Sequence, residues 1–180
     1  GKITIDGVSV AIFLRLGNRA RVYDPGGAKP DVGRFSHVTL SDITATNTSD
    51  IGCSITGLPG HPVEAVTLSD ITIGFDGGGT KEQTARAIPE REEAYPESTM
   101  FGVLPAYGFF CRHAKNLAFR NVKLHTAQPD LRHAMVFDDV EDLRIEGLEA
   151  PQADGGAAPI RLTRVRGDVL RDCPAPVTAD

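Results

Sequence analysis

Apolar and polar residues alternate along this chain in short runs, and each run ends at a residue that tolerates a bent backbone. The run VTLSDIT occurs twice letter for letter, at 38–44 and at 66–72, 28 residues apart. Three looser copies, ITIDGVS (3–9), LAFRNVK (117–123) and LRIEGLE (143–149), share the order apolar, any, apolar, any, turn-prone, apolar, any. The turn-prone position holds Gly7, Asp42, Asp70, Asn121 and Gly147, residue types that enter the left-handed region at least cost. Two alternating apolar residues make a short strand with one face inward. A bend then turns the next apolar residue inward too. A second apolar segment follows most copies: AIFLRLGNR, IGCSITGLPG, YGFFCRHAKN and AMVFDDVED. No such unit buries its inward face alone, so neighbours must stack. Spacings of 26, 28 and 35 residues suit one coil of a parallel β-helix per copy, and the gap of 51 between Val66 and Leu117 suits one coil plus an insertion. The pattern predicts an all-β solenoid of about five coils, about 24 Å tall at the usual strand spacing.

A helical fold does not fit, because the apolar period is two and β-branched residues fill the repeats. One stretch departs from the pattern: TKEQTARAIPEREEAYPE (80–97) is polar and is broken by Pro89 and Pro96. It predicts a turn or two of helix ending before Pro89, within an insertion loop spanning 76–106. A single domain covers 1–180. Its C-terminal cap, 167–180, carries two prolines expected to stop further strand pairing. At the other end Ile3 opens in mid-pattern, which would leave strand edges bare. The expectation there is a homo-oligomer paired through the N-terminal coil, or further coils upstream.

Composition narrows the classes. With 41% apolar residues, 180 residues suffice for one core. Lys plus Arg is 19 against 24 for Asp plus Glu, and this net charge of −5 argues against a general nucleic-acid binder. No apolar stretch is long enough for a transmembrane helix, and GKITIDGVSV lacks the apolar core of a signal peptide. Cys53, Cys111 and Cys173 are too few and scattered for a disulfide framework, and the first two are expected to point inward as small apolar residues. The five histidines show no ligand spacing with them, so no metal and no cofactor is expected. FDGGGT lacks the lysine of a phosphate loop and reads as a turn. Trp is absent and Tyr is only 3, which leaves little for stacking on sugars.

Four segments carry a resemblance: IFLRLGNR, SITGLPGHPVEAVTLSDITI, EREEAYPESTMFGVLPAYGFFCRHAKNLAFRNV and DLRHAMVFDDVEDL. Together they resemble the C-terminal half of bacterial glycoside hydrolase family 28, the polygalacturonase family. Tyr95-Pro96-Glu97, Phe101-Gly102 and Ala106-Tyr107-Gly108 are its most specific part. The resemblance implies a right-handed, single-stranded parallel β-helix, the pectin-lyase-like solenoid. It also implies a pectic or other plant polysaccharide as partner, and a secreted or periplasmic location. Members of that family hydrolyse pectic chains with inversion, through aspartates about 6.5–9.5 Å apart around one water. Their motifs, Asn-Thr-Asp, Asp-Asp, Gly-His-Gly and Arg-Ile-Lys in that order, are not supplied here. Ser49 follows Asn47-Thr48, Pro62 follows Gly60-His61, Asp138-Asp139 comes last, and Arg-Ile-Lys does not occur. By the resemblance the catalytic coils would lie upstream of Gly1, and no catalytic residue carries over.

The residues themselves offer candidates. Asp138 and Asp139 are the one adjacent acid pair at an ordered strand end, and neighbouring carboxylates can split into an acid and a base. Consecutive strand residues, however, face opposite ways, and a solvated turn also explains the pair. Arg15 falls in the place of Arg112 when AIFLRLGNR is laid over GFFCRHAKN. Guanidinium forks on one face would grip galacturonate carboxylates, with His113 beside them. The other reading is solubilising charge, or pairing with Glu64 and Asp130. Within the insertion, Tyr95, Glu93 and, at its end, Tyr107 are candidates to line a substrate cleft. The competing reading is a solvated loop whose Phe101 and Leu104 pack back on the coil. Two functions follow: a polygalacturonase-like hydrolase with Asp138 and Asp139 as its acids, or a non-catalytic module that binds acidic glycan or itself.

Overall fold

In a computed structural model the chain is all-β, and the structure describes residues 1–22 and 24–179. Ten strands join one sheet: β1 (Ile3–Asp6), β2 (Phe13–Arg15), β3 (Ser36–Thr48), β4 (Cys53–Thr56), β5 (Val63–Gly77), β6 (Ala106–Gln128), β7 (His133–Glu149), β8 (Ile160–Arg166), β9 (Val169–Arg171) and β10 (Pro176–Ala179). Their order is β1-β3-β5-β6-β7-β8-β10, with β2 on β4, β4 on the first part of β6, and β9 on β7. All of these pairings are parallel. Each repeat thus lies on the next one in the chain, an arrangement compatible with the expected solenoid.

The long strands bend at residues with positive φ, and register aligns those residues into columns. One column is the predicted one: Asp42 (φ 57°), Asp70 (56°), Asn121 (49°) and Gly147 (72°), continued by Asp172 (48°). Asn121 Nδ2 donates to Asp70 Oδ1 at 2.6 Å along it. Two further columns escape the sequence pattern. His37, Ala65, Asn116, Asp142 and Gly167 form one, and His113, Asp139 and Arg164 form the other.

Two expectations are corrected. Laid on VTLSDIT, the first copy would set Ile3 beside Val38, but β1 pairs Ile3 with Ile43 and Asp6 with Thr46. A period-two pattern fits either register, and Ile-Thr recurs at 43–44, so the pattern alone does not choose. The prolines near the C-terminus do not end pairing either: β10 starts at Pro176 and runs parallel to β8, with Pro176 beside Ile160. An edge strand tolerates the missing N–H.

Inward residues stack in columns to form one core. Leu68, Phe119 and Ile145 are fully buried and lie on one another, as do Cys53, Phe109, Met135 and Ile160. Phe119 meets Phe109 and Phe137 edge-on, at centroid distances of 5.2 and 5.8 Å. Burial pushes the Cys53 thiol up to about 12 and that of Cys111 well above the ordinary range, so both sulfurs behave as apolar atoms.

The insertion leaves at Gly79 and returns at Pro105, with one 3-10 turn over Lys81–Ala85. Its two ends are clamped by a buried ion pair. Arg132 Nε and Nη2 donate to Asp130 at 3.0 and 2.7 Å, Arg132 Nη1 donates to Leu104 O at 3.0 Å, and Gly79 N donates to Asp130 Oδ2 at 3.0 Å. A side chain at Gly79 would collide with Arg132 Nε, so the clamp itself demands glycine. Outside the sheet a second apolar cluster, including Ile88, Met100, Phe101, Leu104, Phe110 and Val136, seats the insertion on β6 and β7. Phe101 and Leu104 therefore pack back on the sheet.

Candidate functional site

Along β2, β4, β6, β7 and β8, inward and outward residues alternate, and register stacks the outward ones. One outward column reads Arg15, Thr56, Arg112, Asp138, Thr163; the column beside it reads Phe13, Ser54, Phe110, Val136, Arg161. Arg15 and Arg112 therefore share a face, two strands apart. Both are spent on the insertion. Arg112 Nη1 donates to Ile88 O at 2.6 Å and Nη2 to Pro89 O at 3.2 Å, while Arg15 Nη2 donates to Glu90 O at 2.5 Å and Nη1 to Gly57 O at 2.9 Å. Glu90 itself sits 3.1 Å from Arg112 Nη1. Burial is the main influence lowering the pKa of each guanidinium; for Arg15 the charge of Arg112 adds to it.

His113 occupies the left-handed position after Arg112, and its ring lies between two carboxylates. Nδ1 is 2.5 Å from Asp139 Oδ2, and Nε2 is 3.2 Å from Glu90 Oε1. Asp138, one residue before Asp139, faces Arg164 Nη2 in an ion pair.

The two aspartates do not share a cavity. Asp138 lines a cleft of about 240 Å³ walled by Ala85–Ile88 of the insertion on one side and by Arg112, Arg161 and Thr163 on the other. Asp139 lines a smaller one of about 130 Å³ with His113, Lys115, Glu141 and Arg166. Opposite facing along the strand separates them, as period two requires. A further groove of about 470 Å³ runs over Ala118 between Arg120 and Arg144, and it holds no unpartnered buried side-chain atom.

The other sequence candidates are scattered. Tyr107 is a correction: expected at the substrate surface, it is 3% exposed, and its ring meets Phe75 edge-on at 5.9 Å inside the core. It stands two residues before Phe109, so the strand alternation that buries Phe109 buries Tyr107 too. Desolvation, then the nearby Asp130, push its hydroxyl pKa well up. Tyr95 is exposed under the Arg19 guanidinium, 4.7 Å from its ring centre. Glu93 is exposed and takes a bond of 2.5 Å from Lys29, which lowers its pKa.

Three polar atoms in the larger cleft have no hydrogen-bond partner among the described residues: Arg112 Nε, Arg161 Nε and Thr163 Oγ1. Arg112 and Thr163 are each 6% exposed. Arg161 Nη1 is fixed to Thr84 O at 3.0 Å, and Arg86 is held by Val103 O and Phe101 O at 2.7 and 3.1 Å. Buried donors are ordinarily satisfied, so this cleft offers fixed, unmatched N–H groups that suit an anionic oxygen. Sequence reasoning missed Arg161 and Thr163, although IRLT (160–163) repeats the period-two pattern of MVFD (135–138). Among the described residues no group of three His, Cys, Asp or Glu stands ready for a metal, and no helix is long and apolar enough to cross a membrane. Comparison with protein-family models, with curated proteins and with solved structures found no match for this chain.

Proposed function

We propose that the chain is a right-handed parallel β-helix of about five coils that binds acidic polysaccharide, of the pectic galacturonan kind, without hydrolysing it. One observation carries the reading: the unpartnered Arg112 Nε, Arg161 Nε and Thr163 Oγ1 line one cleft beside the insertion. A sugar carboxylate satisfies two guanidinium donors at once, and the hydroxyl serves a neighbouring ring oxygen or hydroxyl. Hydrolysis is disfavoured because Asp138 and Asp139 line separate clefts and are tied to Arg164 and His113. An inverting site needs both acids around one water. The segments resembling polygalacturonases favour the same ligand class and an extracytoplasmic setting, with self-pairing through the first strand as a further contact.

Calorimetry with trigalacturonate tests it, with neutral galactan fragments as control. Arg161→Gln removes a charged donor worth about 1.5–3 kcal/mol, so affinity falls about tenfold or more. Equal affinity for neutral oligomers, or no effect of Arg161→Gln, overturns the assignment. Release of reducing ends that disappears in the Asp138→Asn, Asp139→Asn double variant restores the hydrolase reading.

A further inference from the structure

We infer that His113 is a proton-dependent latch for the insertion segment around Ile88–Glu90. A neutral imidazole has one N–H and one lone pair, whereas the imidazolium has two N–H groups. His113 meets a carboxylate at both nitrogens, Asp139 at Nδ1 and Glu90 at Nε2. Only the protonated ring donates to both. When the proton leaves to solvent, one nitrogen turns a lone pair toward a carboxylate, and attraction there becomes repulsion. Asp139 belongs to the sheet and is fixed by its place in a turn column, so the partner released is Glu90, on the insertion.

The charged surroundings are of both signs. From the insertion His113 faces Glu90, from its own strand Arg112 and Lys115, from β7 Asp139 and Glu141, and from β8 Arg166; Leu58, Gly60 and Pro62 bring no charge. Lys115 and Glu141 pair with each other at 3.2 Å, and Arg112 keeps its bonds to the Ile88 and Pro89 carbonyls. Loss of the proton therefore loosens the segment without freeing the insertion, whose base stays clamped by Asp130 and Arg132. Because Ile88 and Arg112 also wall the larger cleft, the latch governs the shape of the site proposed above. Only this consequence rests on that reading. The latch itself does not.

Hydrogen exchange on the free protein separates the two. The Asn18 amide donates to Glu92 O at 2.8 Å and the Ala94 amide to Arg91 O at 3.1 Å, so both report the insertion. Wild type and His113→Gln are compared at matched pH, which cancels intrinsic exchange chemistry. At acidic pH the wild type protects these amides about tenfold better, a charged hydrogen bond's worth. The ratio falls toward one as pH rises across the range in which imidazoles titrate. Glu90→Gln, which leaves His113 and Asp139 in place, flattens the pH dependence in the same way and covers the case of a poorly folding His113 variant. A protection ratio that is constant with pH, or equal protection throughout, overturns the latch whatever trigalacturonate does.

Discussion

Two strand interfaces in this molecule are built on opposite rules. Where β3 lies on β5, like meets like: Val38 on Val66, Thr39 on Thr67, Leu40 on Leu68, Ser41 on Ser69, Ile43 on Ile71, Thr44 on Thr72. Where β6 lies on β7, the outward partners are opposites. Arg112, His113, Lys115, Arg120 and Lys123 on one strand stand beside Asp138, Asp139, Glu141, Glu146 and Glu149 on the other. Three of these pairs close at 3.2, 3.5 and 2.8 Å, and His113 closes on Asp139. Identical neighbours stack well but do not say which copy belongs where, since either would accept the other. Complementary neighbours do say so: a slip by one residue sets these rows out of step and also turns inward residues outward. Exposed pairs contribute little stability each, so their use is to fix order, while the columns beneath supply the strength.

The largest test of that division is Phe119→Ala, which hollows the core under the charged interface. It is expected to cost about 3–5 kcal/mol in urea unfolding. A smaller loss than from discharging the rows above would reverse the division. Next comes Asp130→Ala, at the clamp between the two interfaces, which strands a buried Arg132 at a cost of about 3–5 kcal/mol. The same group sets an acid limit. Burial pushes the Asp130 carboxyl up, but the bonds from Arg132 and Gly79 outweigh it and leave the pKa below its ordinary value. Its stabilisation is therefore complete above the ordinary carboxylate range and is lost as pH falls through the lowered folded value. Acid titration of stability should show this loss in the wild type and not in Asp130→Asn. Reversing Glu141, Glu146 and Glu149 to Lys is expected to cost about 2 kcal/mol at low salt and to recover mostly in 1 M salt. At the uniform interface Asp70→Ala should cost about 1 kcal/mol and Asp70→Gly less, because glycine accepts the left-handed turn.

Sameness is easy to see in a sequence, and complementarity is not. VTLSDIT announces itself, and with it the turn column through Asp42, Asp70, Asn121 and Gly147. The stacking of Arg15 over Arg112 follows from laying like segments together. β8 is hidden because IRLTRVR answers an acidic strand and so looks unlike it, and Arg164 occupies a turn position that aspartate fills in β7. What the guanidinium groups hold was beyond reach for another reason. Their acceptors are backbone carbonyls of Ile88, Pro89 and Glu90, and a carbonyl carries no mark of residue type. The same holds for the cleft, whose walls come from the insertion and from β8, far apart in the chain.

The clamp at Gly79 and Leu104 makes position in the stack, not position in the sequence, the coordinate that matters. To the sheet, the path from β5 to β6 is a step like the unbroken passage from β6 to β7, because one ion pair sews its excursion shut at the neck. Material can be added, removed or exchanged beyond that neck while every strand keeps its neighbours. The insertion is thus a separate field for change, free to acquire new walls and new ligands over a scaffold that does not register the difference.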